Sequence, residues 1–126
     1  MKTVNLKINE RIAISMALKF LSPGGYAKFQ TAKNILTKVE LSAAELDHYE
    51  VNDNPEGTTT WNAKKDTGSD IEFADREIQV ICEGLNNMDE RKLLSWNFIT
   101  LYEIFIPLGK EIEKANKDKS KKSENE

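Results

Sequence analysis

The sequence predicts an α+β domain, predominantly helical, with four to five helices packed on a small β-hairpin or short sheet. Three observations predict it. Apolar residues alternate with polar ones at Val4, Leu6 and Ile8 and again at Ile71 and Phe73, the period-two pattern of half-buried strands. Between and after these stretches, apolar residues recur every three or four positions, the mark of amphipathic helices. Turn chemistry separates the segments, at Ser22-Pro23-Gly24-Gly25 and at Asn52 to Gly57.

The elements follow in order. Asn9 is the expected N-cap of a first helix, because its side-chain oxygen can accept a free first-turn N–H, and Glu10 suits the positive end of the dipole. Its stripe is Ile12, Ala13, Met16, Ala17, Phe20 and Leu21, and the proline–glycine run stops it. A second helix is expected from Tyr26 to Val39, with Phe29, Ala32, Leu36 and Val39 inward, completing an antiparallel helical hairpin. Ser42-Ala43-Ala44-Glu45 is a capping box, with Leu41 and Leu46 placed as its hydrophobic staple. The short helix it starts ends before the turn at Asn52 to Gly57, which is expected to close a hairpin between His48–Val51 and Thr58–Trp61; Asn62 to Ser69 reads as a loop. A brief strand at Ile71 and Phe73 leads into a helix carrying Ile78, Ile81, Cys82 and Leu85, which Asn86-Asn87 should end. Asp89 is the expected cap of the last helix, with Leu94, Phe98, Leu101, Tyr102 and Phe105 inward and Pro107 and Gly109 interrupting or ending it. One globular domain therefore spans 1–109. The segment 110–126 is almost entirely charged or polar and reads as a frayed helix and then a disordered tail. The expected core is Ile12, Met16, Phe20, Phe29, Leu36, Ile78, Ile81, Leu85, Leu94, Phe98 and Leu101.

An internal echo accompanies this layout. Leu6 to Arg11 and Ile71 to Arg76 both lead from strand to helix. In register, Ala13, Met16, Ala17 and Phe20 sit opposite Ile78, Ile81, Cys82 and Leu85. A strand–helix–helix pseudo-repeat explains this, and its two strands would then pair about a pseudo-twofold axis. The alternative is that any two strand-to-helix junctions look alike at this level.

The 126 residues suffice for one modest core. A net charge of −3 gives no bulk attraction for nucleic acid. Cys82 is the sole cysteine, so no internal disulfide forms. The N-terminus lacks the apolar core of a signal peptide, and the stretch from Leu93 to Leu108 is too short and too polar for a membrane span. A cytoplasmic setting is expected.

The search for chemistry is mostly negative. No phosphate-binding glycine loop and no metal-ligand spacing occur, and neither a cofactor nor a metal is expected. His48, the only imidazole, reads as a general base with Glu45 or Asp47, or as an exposed residue at a helix end; with no nucleophile motif the second reading is better. Cys82 sits on an inward face and reads as an inert small hydrophobe. Asp70, Glu72, Asp75 and Glu77 read as helix N-terminal charge and a solvated strand face rather than a cation site. Lys28, Lys33 and Lys38 are spread around their helix, roughly 500° per step, and form no single basic face.

Trp96 stands off the stripe of the last helix, which also carries Leu93 and Ile99. Apolar residues nearly all round mean a central helix or a contact with another chain, and tryptophan is enriched at interface hot spots. Trp96, Ile99 and Tyr102 form the candidate interface.

The order of these elements, with Asn9-Glu10-Arg11-Ile12-Ala13-Ile14, the isolated Trp61-Asn62, Ile71 to Glu77 and Leu101 to Phe105, resembles small phage and prophage proteins of little-known function. The resemblance covers about the first hundred residues and is one of layout, so it carries no functional residue. Together these features predict a non-enzymatic, phage-type accessory protein that binds or modulates a host or viral protein. The alternative is a structural or assembly component of a virion, self-associating through the last helix.

Overall fold

In the computed structural model, residues 1–124 are described, with side-chain surroundings through Lys117; the rest of the expected charged tail, 118–126, lies outside the residues whose side chains are described. Strand β1 (Lys2–Leu6) leads into helix α1 (Ile8–Ala17) and a 3₁₀ turn (Leu18–Phe20). Then come α2 (Tyr26–Val39), α3 (Ala43–His48), β2 (Asn52–Asp53), β3 (Thr59–Thr60), β4 (Ser69–Phe73), α4 (Asp75–Glu90) and α5 (Trp96–Glu124). The fold is the expected α+β layout: five helices packed on a small two-stranded antiparallel sheet, β1 with β4.

That sheet joins the two halves. β1 and β4 pair antiparallel from Lys2–Phe73 to Leu6–Ser69. An offset of 67 residues lays Lys2–Leu6 on Ser69–Phe73, so Val4 and Ile71 are both equivalents and cross-strand partners. A pseudo-twofold axis passes between them. Helix packing obeys the same axis: α2 packs on α1 and crosses to α4, while α5 packs on α4 and crosses to α1. The expected pseudo-repeat is present, with its helices aligned two residues away from the expected register. The reason is the start of each helix. Lys7 and Ala74 take the extended N-cap conformation, and in each case the carboxylate three residues on accepts the cap N–H: Glu10 at 3.0 Å and Glu77 at 2.8 Å.

α1 and α4 cross on the axis at small residues. Ala17 and Gly84 are equivalent, and a Cβ on Gly84 would stand 2.5 Å from the Ala17 carbonyl oxygen. Around this crossing Leu6, Ile14, Ile35, Phe73, Ile78, Ile81, Leu85, Leu101 and Phe105 are fully buried. Each such aliphatic side chain contributes about 1.5–3 kcal/mol of transfer free energy.

Several boundaries differ from expectation. α1 starts at Ile8, before Asn9, because Asp66 of the linker accepts the Ile8 N–H at 3.3 Å and supplies the cap from a distance. α4 runs past Asn86-Asn87 to Glu90; Asn87 instead donates its side-chain amide to the Phe20 carbonyl at 2.7 Å. Asp89 therefore lies inside α4. The helix ends with Lys92 in the left-handed region (φ 58°), where the Leu93 N–H reaches Met88 O and the Lys92 N–H reaches Asp89 O. α5 passes both Pro107 and Gly109. The exposed proline removes one N–H on the solvent side, and Gly109 lets α5 approach α4, since a Cβ there would lie 2.7 Å from Cys82 Sγ. Ile112 is buried, so packing extends beyond residue 109.

The expected capping box is formed: Ser42 Oγ accepts the Glu45 N–H and Glu45 accepts the Ser42 N–H, both at 3.1 Å. The expected hairpin is present but shorter, with Asn52–Thr60 and Asp53–Thr59 paired. His48–Val51 contributes no strand because α3 runs through His48.

Candidate protein-binding surfaces

The first helical hairpin has a face that the fold leaves open. Of the expected core, Ile78, Ile81, Leu85, Phe98 and Leu101 are buried, and Ile12, Phe20 and Leu94 are half-buried. Met16, Phe29 and Leu36 are not core: they remain 45 %, 50 % and 42 % exposed. The physical reason is that α1 and α2 each serve two neighbours. α2 turns Thr31 and Ile35 inward to serve α4 as well as α1, and α1 turns Ala13, Ile14 and Ala17 inward to serve α4 and α5. The stripe that suits a simple two-helix hairpin is thereby rotated outward.

A groove results. One cleft of about 420 Å³ is lined by Ile12, Ser15, Leu36, Val39 and Leu41, and an adjoining one of about 360 Å³ by Leu18, Leu21, Phe29 and Ala32. Ser15, Lys33 and Leu36 belong to both, so the two clefts are continuous. Lys19 and Lys33 stand on the rim.

Arg11 holds the floor of this groove in place. It is buried, its Nε donates to Val39 O at 3.0 Å, and its Nη2 to Glu40 O at 2.9 Å. Its Nη1 donates to Glu45 at 2.7 Å. The guanidinium thus satisfies carbonyls freed at the C-terminus of α2 and clamps the capping box of α3. The Arg11 hydrogen bonds pull the Glu45 carboxyl from 4.5 to about 2, outweighing partial burial that acts the other way. Neither the apolar stripe of α1 nor the charge of Arg11 announces this role, since a cation beside such a stripe looks like ordinary surface.

The three residues singled out from the sequence lie on successive turns of α5 and differ in exposure. Trp96, the first residue of α5, is 89 % exposed; Ile99 and Tyr102, on the following turns, are half-buried. The surplus apolar residues of α5 have two neighbours to cover them, α1 and α4, with Ile99, Tyr102, Ile104, Ile106 and Leu108 only partly enclosed. An offset of 70 residues places Trp96 on Tyr26, which is also exposed, and Ile99 on Phe29.

The remaining candidates are separated or committed elsewhere. His48 is exposed at the end of α3, edge-on to Tyr49 at 4.9 Å, while Glu45 is engaged by Arg11. Burial pushes the Cys82 thiol up to about 11, and its Sγ donates to Phe105 O at 3.1 Å. Such a thiol is a poor nucleophile. Asp70 accepts from Asn5 at 2.9 Å, Glu77 is buried against Lys38 at 2.6 Å, the same lysine donates to the backbone carbonyl of the exposed Glu72 at 2.8 Å, and Asp75 is exposed. One Glu77 oxygen, Oε2, is buried without a partner. Among the described residues no three His, Cys, Asp or Glu side chains gather as a metal site, and no helix is long and apolar enough to cross a membrane. Of the three lysines of α2, Lys28 pairs with Glu83 at 2.7 Å and Lys38 with Glu77, so two of them tie α2 to α4. The chain matches no known protein family, no curated protein and no solved structure, so the geometry alone carries the functional argument.

Proposed function

We propose that this chain is a non-enzymatic protein-binding module of the phage-type accessory kind, acting in the cytoplasm. The observation that carries the reading is the open apolar groove between α1 and α2, in which Phe29 and Leu36 keep about half their surface in water. Covering the exposed half of one such side chain with a partner returns about 1 kcal/mol. An apolar groove left open on a small domain is the kind of surface that a partner covers.

A second reading has its own observation. Trp96 at the start of α5 is almost fully exposed, which favours self-association through that helix as a structural or assembly component. Light scattering coupled to size exclusion, over a concentration series, separates the two. A monomer throughout supports a groove reserved for another protein. A defined oligomer that Trp96→Ala reduces to monomer, with the fold intact, supports self-association and counts against the first reading.

A further inference from the structure

We propose that the groove between α1 and α2 receives an amphipathic helix whose apolar stripe is flanked by acidic residues, a deepening that rests on the protein-binding reading. The groove runs beside α2 from Phe29 to Val39, about 15 Å at the rise of an α-helix, which is roughly three turns of an occupant helix. Its apolar lining comes from Ile12 of α1, from Phe29 and Leu36 of α2 and from Leu18, Leu21 and Leu41 beside them, an arrangement that accepts anchors at i, i+3, i+4 and i+7.

Charge selects the occupant. The chain is acidic overall, at −3, yet the rim of this groove carries Lys19 and Lys33. Neither takes part in an ion pair among the described residues, whereas Lys28 and Lys38 on the same helix as Lys33 are both paired with glutamates of α4. Arg11 at the floor is already neutralised by Glu45. Lys33 borders both clefts and Lys19 borders the one at the Phe29 end. The acidic side chain on the lining, Glu40, lies at the opposite end, beside Leu41. The groove is therefore cationic at its middle and at one end, and an occupant places its acidic residues there. Such rim charges set specificity and association rate more than they add affinity.

The test is selection of helical peptides of about 16 residues from a display library against the full chain, followed by salt titration and binding to Lys19→Glu/Lys33→Glu, Leu36→Glu and Trp96→Ala variants. Circular dichroism confirms that each variant is folded. The expected winners carry Asp or Glu beside an apolar stripe and bind more weakly as salt rises. They lose about tenfold or more on the double charge reversal, lose binding on Leu36→Glu, and are indifferent to Trp96→Ala. Winners that need Leu36 but are neutral or basic would overturn the acidic partner while leaving the groove as a binding site. Winners that ignore Leu36→Glu and are lost on Trp96→Ala would overturn the groove itself. No winners at all would overturn both this proposal and the protein-binding reading.

Discussion

Where α1 meets α2, the outward positions are Ile12, Met16, Phe29 and Leu36; where α4 meets α5, the equivalent positions are Gln79, Glu83, Ile99 and Ile106. The second half has a cleft there too, about 240 Å³, but Gln79, Glu83, Asn86 and Glu113 line it. Both halves use the same strand, the same glutamate at the helix start and the same crossing of small residues on the axis. Both bury the inward faces of their helices. The packing therefore does not dictate what the outward groove is made of, since one half manages with glutamine and glutamate where the other has isoleucine and methionine. The protein-binding proposal accounts for apolar side chains kept half in water where the fold does not require them.

The comparison can be broken at its shared centre first. Gly84→Val should cost about 3 kcal/mol or more, because its Cβ must displace the Ala17 carbonyl where α1 and α4 cross. Denaturant unfolding measures it, and a cost below about 1 kcal/mol would mean the crossing is looser than the geometry indicates.

Arg11 sharpens the difference between halves, since its equivalent is the fully buried Ile78. Arg11→Met should destabilise by about 2 kcal/mol, leaving two helix-end carbonyls and Glu45 without their donor. It should also change the acid limb. The folded Glu45 carboxyl lies at about 2 against an ordinary 4.5, so its contribution is complete above about pH 4.5 and is lost as pH falls toward 2. Unfolding free energy measured across that window should fall less steeply in Arg11→Met than in the wild type; equal slopes would detach Glu45 from Arg11.

A smaller effect is expected at the end of α4. Lys92 holds a left-handed conformation that glycine adopts freely, so Lys92→Gly should raise stability by about 0.5–1 kcal/mol. Comparable in size should be Leu36→Glu, costing about 1 kcal/mol of stability, because 42 % of the residue is already in water and only the remaining apolar contact is lost. A loss of several kcal/mol there would return Leu36 to the core and remove the contrast between the two grooves.

Much of the fold was legible because it is written in local patterns. The strand alternation at Val4-Leu6 and Ile71-Phe73, the capping box at Ser42, and the Asn54-Pro55-Glu56-Gly57 turn with Gly57 at φ 86° each act over a few residues. Even the pairing of the two strands followed from the echo between the halves. What local pattern did not reveal was partnership. The stripe of α1 and α2 was assigned to a two-helix hairpin, and it rotated once each helix also had to cover α4 or α5. α1 is capped by Asp66, fifty-eight residues away, which no window around Asn9 contains. α3 and α4 end on Glu50 and Lys92 in left-handed conformations without the glycine that normally signals such a stop. Pro107 marked a break that tertiary packing of Phe105 and Ile112 overrides. The candidate interface Trp96, Ile99 and Tyr102 lies in the half whose cleft is lined by Gln79 and Glu83, while Phe29, the counterpart of Ile99, belongs to the expected core and is half exposed.

The most direct test of the open groove is binding of the apolar fluorophore ANS to the native protein at neutral pH, in the wild type and in the Leu36→Glu and Trp96→Ala variants. A native-state fluorescence enhancement that Leu36→Glu abolishes and Trp96→Ala preserves is the result this account predicts. An enhancement that survives Leu36→Glu unchanged, or none in the folded wild type, would contradict it.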